Sequence, residues 1–313
     1  MRFLLDPEQR DFARSLDALL TAADTPAVIR DWSRGEHGRG RALWSRIAEA
    51  GVFALAVPEE YQGLGVRPVE LAVAFIELGR HAVPGPLVET VAVASLLAGT
   101  GHAKRFLPGV AAGESLATLS REGSLALDGD AATHRFSLSP EGLRLAPGHG
   151  PVRGSLDPAR RLTPLPSGGE LLGPPAPHAL ALARLTTAAQ ALGIGLALLD
   201  RTVAHVGRRT QFGVPVGSFQ AVKHRLADAK IALEFARPLV LGAALTMAPA
   251  DVAAAKATAC EAAYTTARTA LHLHGAIGYT AEYDLSLWFT KAHALRTAWG
   301  TPRECRDDVL DAA

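Results

Sequence analysis

Cysteine is almost absent from this sequence: 313 residues contain two, Cys260 and Cys305. Two cannot build a disulfide framework, and usage this sparse fits a reducing compartment. Net charge is nearly absent as well, since 32 Lys and Arg against 31 Asp and Glu leave +1. That balance excludes a general electrostatic pull toward DNA, RNA or anionic lipid. No uncharged apolar run reaches the ~20 residues of a membrane span. The opening MRFLLDPEQR turns acidic at Asp6 before an apolar core of signal-peptide length develops. There is no internal repeat, and Ser167-Gly168-Gly169 reads as a loop rather than a linker. The absences lead us to expect a cytoplasmic chain without nucleic-acid or membrane partners, long enough for about two domains and a full hydrophobic core.

What is present is mostly helical pattern. Asp6 stands as an N-cap before Pro7, whose missing N–H costs nothing at the first helical position, and Phe12, Leu16, Leu19 and Leu20 recur at helical spacing. A second helix carries Leu43, Trp44 and Ile47 and stops at Gly51. After the glycine-punctuated loop VPEEYQGLG (57–65), helical periodicity resumes over 68–80 and 86–98, so four helices are expected before residue 107. Between 108 and 178, glycine, proline and alternating runs such as HRFSLSPEGLRLAP (134–147) predict hairpin strands. Long helices return over 179–206, 215–247 (with a kink at Pro238), 249–274 and 282–297. The fold class read from this order is mainly α with a small β insert, divided as 1–107, 108–178 and 179–313.

Two stretches carry chemistry. In GRRTQFGVPVGSFQAVKHRLADAK (207–230) a helix ends near Arg208, the chain turns through Gln211 to Pro215, and a new helix opens around Ser218. Arg209 offers a planar fork of donors suited to phosphate oxygens, and Phe212 an aromatic face for a ring. The same residues would also serve in an ordinary capped turn with a solvated arginine. The second stretch, LHLHGAIGYTAEYDLSLWFTKA (271–292), places His272, Gly275, Gly278 and Tyr279 among small residues that let a backbone approach a ligand closely.

Taken in order with VPEEYQGLG, these motifs resemble the acyl-CoA dehydrogenase family over most of the chain outside the β insert. The resemblance implies an N-terminal helical domain, a middle β domain against a flavin ring, and a C-terminal four-helix bundle that builds the oligomer. It also implies FAD, with the Arg-x-Gln-Phe-Gly turn and a Gln-x-x-Gly-Gly step reaching across a subunit interface to the ADP half of the neighbour's cofactor. Carried over by position, the cofactor-binding residues are Arg209, Gln211 and Phe212, intact, and His272, Gly275 and Ala276, altered. His272 stands where glutamine is usual, and Ala276 adds a methyl where a second glycine is usual.

The family's reaction removes the α-proton of an acyl-CoA with a buried glutamate while the β-hydride passes to the flavin. In many members that glutamate lies in a Tyr-Glu-Gly-Thr step, which here reads AWGT (298–301), with Trp299 at the base position. Indole offers only an N–H donor and takes no proton from carbon. A minority of members carry the glutamate on the first bundle helix just before an arginine; here that arginine is Arg184 and the base position is Ala183. The nearest acidic residues, Asp200 and Glu304, are expected to be structural. In the β insert no Thr-Glu-Pro…Gly-Ser-Asp run and no tryptophan occurs, REGSLALDGD (121–130) being a poor shadow of the first.

No catalytic residue is therefore expected in this chain. The resemblance is to the short, base-lacking subunit of actinobacterial α2β2 acyl-CoA dehydrogenases acting on bulky CoA esters, steroid side chains included; LDPEQRDF and ELGRHAVPGPLVE (77–89) are similar to that subgroup. The implied partner is a second acyl-CoA dehydrogenase subunit with the catalytic glutamate, FAD being shared across their interface and acyl-CoA bound by the complex. The alternatives are a competent homo-oligomer with a relocated base and a flavin-free assembly subunit. No metal is expected, because His81, His102, His205 and His274 show no ligand spacing and His272 and His274 face different ways on a helix. The apolar stripes at 186–199 and 239–247 read as bundle core, Lys291 and Arg296 as solvated or complementing a helix dipole, and Cys260 as buried packing.

Overall fold

The computed structural model describes residues 4–174 and 177–312; of the opening segment, Met1, Arg2 and Phe3 lie outside the described residues. Helix α1 (Pro7–Thr21) starts as expected, with a reciprocal cap in which Gln9 N donates to Asp6 Oδ1 at 2.8 Å and Asp6 N donates to Gln9 Oε1 at 3.1 Å. Among the described residues six α-helices rather than four precede the first strand: α1, α2 (Thr25–Ser33), α3 (Gly38–Glu49), α4 (Pro68–Arg80), α5 (Leu87–Leu97) and α6 (Ala103–Ala111). Helix α2 is only nine residues long, and its packing through Val28, Ile29 and Trp32 sustains it where its length would not. Helix α6 continues through Pro108 because Phe106, Leu107 and Val110 are buried on one face; the proline removes a single hydrogen bond.

Strands β1 (Ala117–Arg121), β3 (His134–Ser139), β4 (Gly142–Leu145) and β6 (Glu170–Gly173) form one sheet in the order β1-β3-β4-β6, while β2 (Ala126–Leu127) pairs with β5 (Leu162–Thr163). The hairpin predicted over 134–147 is the β3–β4 pair, with Phe136 opposite Leu145. On α5 the Thr90 hydroxyl donates to Ala117 O at 2.8 Å, which fixes that helix to the inner end of β1.

The bundle comprises α7 (Pro177–Arg208), α8 (Gln220–Thr246), α9 (Pro249–His274), α10 (Leu285–Leu295) and α11 (Pro302–Asp311). Helix α7 is long and apolar enough to cross a bilayer by length and composition alone, although Arg184, Asp200, Arg201 and Arg208 interrupt it, and 94% of its most apolar stretch is buried inside the protein. It crosses α4 at two glycines: a Cβ on Gly79 would stand 2.1 Å from Gln190 O, and one on Gly193 would stand 1.9 Å from Ile76 O. Only glycine permits that approach. Helix α8 starts at Gln220 rather than 215, since the chain first forms β7 (Thr210–Gln211), β8 (Val214–Pro215) and a 3-10 turn at Val216–Ser218. The connections from α7 to α8 and from α8 to α9 are short, so the C-terminal ends of α7 and α9 lie at the same end of the bundle.

Candidate functional site

At that shared end the two sequence motifs meet. Gln211 pairs with Val214 across a hairpin whose two turn residues, Phe212 (φ 53°) and Gly213 (φ 81°), are both left-handed. That is the geometry a two-residue hairpin loop needs, and it suits glycine far better than phenylalanine. The Phe212 ring is nevertheless 93% exposed, with Phe219 6.4 Å away edge-on. Arg209 is also exposed; its backbone N donates to His205 O at 2.9 Å and its O accepts from Val216 N at 2.8 Å. The Gln211 amide donates to Thr210 O at 2.9 Å.

Helix α9 ends beside this hairpin at Gly275, whose φ of 65° and ψ of −142° lie outside what other residues adopt readily. A Cβ on Gly275 would meet nothing within 4 Å, so the backbone there stays open to approach. His272 and Ala276 are exposed, as are Ile277 and Tyr279, and His274 is buried. The rings of His205 and His274 stack 4.0 Å apart and join the two helix ends directly. The exposed cation, the free aromatic face and the open glycine turn are a donor set that fits the ADP half of a dinucleotide.

The two positions at which the resemblance expects a base, 183 and 299, converge elsewhere, on the inner side of α7. Ala183 is fully buried, and the next residue, Arg184, donates from Nε to Trp299 O at 3.1 Å and pairs with Asp308 at 2.5 Å. Trp299 has φ 58°, and its indole Nε1 donates to Glu89 Oε1 at 3.1 Å. Lys256, fully buried, donates from Nζ to Leu295 O, Arg296 O and Gly300 O at 3.2, 3.2 and 3.1 Å, holding the carbonyls at the end of α10.

The carboxylate beside Trp299 is Glu89, while Asp200 and Glu304, the acids nearest in sequence, are structural as expected. Asp200 pairs with Arg80 at 2.8 Å on the surface, and Glu304 closes the N-terminal cap of α11 with Thr301. Burial pushes the Glu89 carboxyl up from its ordinary value, opposed by the charges of Arg160 and Lys291 and by the indole bond. Lys291, expected to be solvated or to complement a helix dipole, is instead buried and donates to Val83 O at 2.8 Å; burial holds its ammonium down. Asp128, in the same buried group, is pushed by burial up to about 7, and its Oδ2 has no hydrogen-bond partner. Sequence offered one signal for this group: α5 is apolar all round, so Glu89 had no solvent face on which to stand.

A helical chain with a small sheet, whose bundle presents an Arg-x-Gln-Phe-Gly hairpin beside a glycine turn, has the layout the sequence resemblance implies, and comparison settles the family. The chain belongs to the acyl-CoA dehydrogenase family: residues 6–114 match its N-terminal domain and residues 176–312 its C-terminal domain. The sheet lies between the two matched stretches. The chain is 34% identical over 314 residues to acyl-CoA dehydrogenase IpdE2 of Mycobacterium tuberculosis, covering 95% of each. It is 33% identical over 302 residues to IpdE2 of Mycolicibacterium smegmatis, with 95% of this chain and 96% of that one covered. Among solved structures it is similar to a variant of the Tcur3481–Tcur3483 steroid ACAD, at 26% identity and a TM-score of 0.85 over 97% of both chains. The ChsE4–ChsE5 complex from Mycobacterium tuberculosis shares the fold, at 22% identity and a TM-score of 0.84 over 99% of this chain and 98% of that one.

Proposed function

We propose that the chain is the non-catalytic subunit of a heteromeric, FAD-dependent acyl-CoA dehydrogenase, and that its bundle end holds the ADP half of FAD bound mainly by a partner subunit. Its parts would be an N-terminal helical unit (1–107), a reduced β unit (108–178) and the bundle (179–313). The observation that supports this reading is Trp299, the residue at the position where the resemblance expects a base: its indole donates to Glu89, its backbone carbonyl accepts from Arg184, and it offers no group that takes a proton from carbon. Ala183, the other base position, is sealed in the core. FAD, when bound, supplies the hydride acceptor for oxidation of the acyl chain. This chain's share would be binding: Arg209 would offer its donor fork to the pyrophosphate, Phe212 an aromatic face to the adenine, and Gln211, His272, Gly275 and Ala276 would line the approach. The partner contributes the glutamate that removes the α-proton. The likeness to a steroid ACAD supports a bulky CoA ester as substrate, and the sparse, buried cysteines support a cytoplasmic setting.

The experiment is to assay the chain alone, the partner alone and the co-expressed pair for acyl-CoA-dependent flavin bleaching. The expected result is turnover by the pair and none by this chain alone. Bleaching by this chain alone would refute the proposal. One observation favours a second reading, a competent homo-oligomer: Glu89 is a buried carboxyl 3.1 Å from the residue at the base position. In that case Glu89→Gln would abolish turnover, whereas in ours it leaves turnover intact.

A further inference from the structure

We infer that His205 and His274 are positioning residues of the cofactor clamp, a stacked pair of neutral imidazoles that registers the hairpin of α7 against the glycine turn of α9. This inference rests on the clamp reading above.

The geometry is specific. His205 lies in the last turn of α7, and its carbonyl accepts the Arg209 backbone N–H at 2.9 Å. His274 is the last residue of α9 and precedes the left-handed Gly275. The rings lie 4.0 Å apart with an interplanar angle of 23°. His274 Nδ1 is 2.8 Å from Ala270 O, so the ring proton sits on Nδ1 and donates there, leaving Nε2 an acceptor. That Nε2 is buried and has no hydrogen-bond partner, and neither has Nε2 of His205. Adding a proton to either ring creates a buried donor with nothing to receive it, set against another ring and close to cations.

The cations facing the pair oppose a charge on it, and the Ala270 carbonyl favours one on His274. From α7 come Arg208 and Arg209; the turn at Val216–Ser218 brings no titratable group; Tyr283, before α10, lies 5.6 Å from His274; and the neighbouring Asp284 is engaged by Arg30 at 2.7 Å. Among the described residues no carboxylate forms an ion pair with either ring. Burial holds both imidazoles below their ordinary value, with the charge of Arg209 adding to it in both. Both rings are therefore neutral above the ordinary imidazole value of about 6.5, and the stack is then fully formed. As the pH falls through their lowered values, protonation forces the rings apart and the two halves of the clamp lose register.

The test uses the co-purified complex. Its FAD dissociation constant, followed by flavin fluorescence from pH 8 downward, should be constant above pH 7 and rise only as the pH falls below the ordinary imidazole value of about 6.5. His205→Phe, which keeps a flat ring that cannot protonate, should flatten that rise. His205→Ala should weaken FAD binding at every pH. Hydrogen–deuterium exchange at the histidine C2 positions should give both residues values below the ordinary imidazole range. Ordinary titration of the two rings, or a wild-type pH profile unchanged in His205→Phe, would overturn the inference. Failure of the clamp reading itself shows differently, as full FAD retention by Arg209→Ala/Phe212→Ala, which leaves the exchange result standing on its own.

Discussion

Phe212 and Trp299 are both aromatic residues with left-handed backbones, at φ 53° and 58°, and the chain treats them in opposite ways. Such a conformation costs a side-chain-bearing residue on the order of 1–2 kcal/mol and persists only where something offsets it. At Trp299 the offset lies within the chain: Glu89 accepts from the indole, Arg184 donates to the carbonyl, and Lys256 holds the carbonyl of Gly300. At Phe212 no comparable side-chain partner compensates, and the ring stands in solvent beside an exposed arginine. A strained residue that is internally satisfied reads as structure, and one left open reads as a contact waiting for an occupant. On the proposed reading, the position that aligns with a base is of the first kind, and the hairpin that would hold a partner's cofactor is of the second.

The largest expected effect strikes the open region. Arg209→Ala/Phe212→Ala should weaken FAD binding to the complex by about two to three orders of magnitude, since a charge-assisted phosphate contact and an aromatic stack are each worth roughly 1–3 kcal/mol. Equilibrium dialysis measures this directly, and unaltered affinity would erase the contrast. Next, Trp299→Ala should lower unfolding stability by about 3 kcal/mol in urea titration while turnover per bound flavin stays within twofold. A loss of turnover without loss of stability would mean that the filled position takes part in the chemistry.

A smaller effect comes from the buried acid group behind Trp299. Asp128 titrates near 7 in the fold, against about 3.9 in an unfolded chain, so its ionisation opposes folding. The penalty is absent below the unfolded value, grows as the pH rises, and is complete above about 7. Asparagine tolerates the left-handed backbone there, so Asp128→Asn should stabilise the protein by roughly 2 kcal/mol above pH 7, with the gain fading toward pH 4 in pH-resolved thermal melts. The smallest expected change is that of Glu89→Gln. The amide oxygen still accepts the indole N–H, and turnover should change less than twofold. A thousandfold loss would make Glu89 the base.

Much of the fold was legible because its signals are local. The Asp6 cap, the helical repeats and the alternation in 134–147 each act over a few residues, and the observed α1, α3, α4, α5 and the β3–β4 hairpin match them. Helices α2 and α6 were missed because burial, not pattern, sustains a nine-residue helix and one that contains a proline. Within the candidate site, the residue types at 209–212 and 272–276 could be read directly, since the chemistry of an arginine fork or an open turn belongs to the residue itself. Glu89 and Lys291 could not be placed that way. Each meets its partner across 208 or more positions of sequence, and nothing in the spacing tells which buried groups the packing of α5, α10 and the sheet will bring together. The stacking of His205 on His274 escaped for the same reason, as it depends on two parallel helices ending level.

The most direct measurement is the flavin content of the purified complex, counted spectrophotometrically per pair of unlike subunits. One FAD for each pair, lost when Arg209 and Phe212 are replaced, is the result this account predicts. Two per pair, or flavin retained by this chain when it is isolated from its partner, would contradict it.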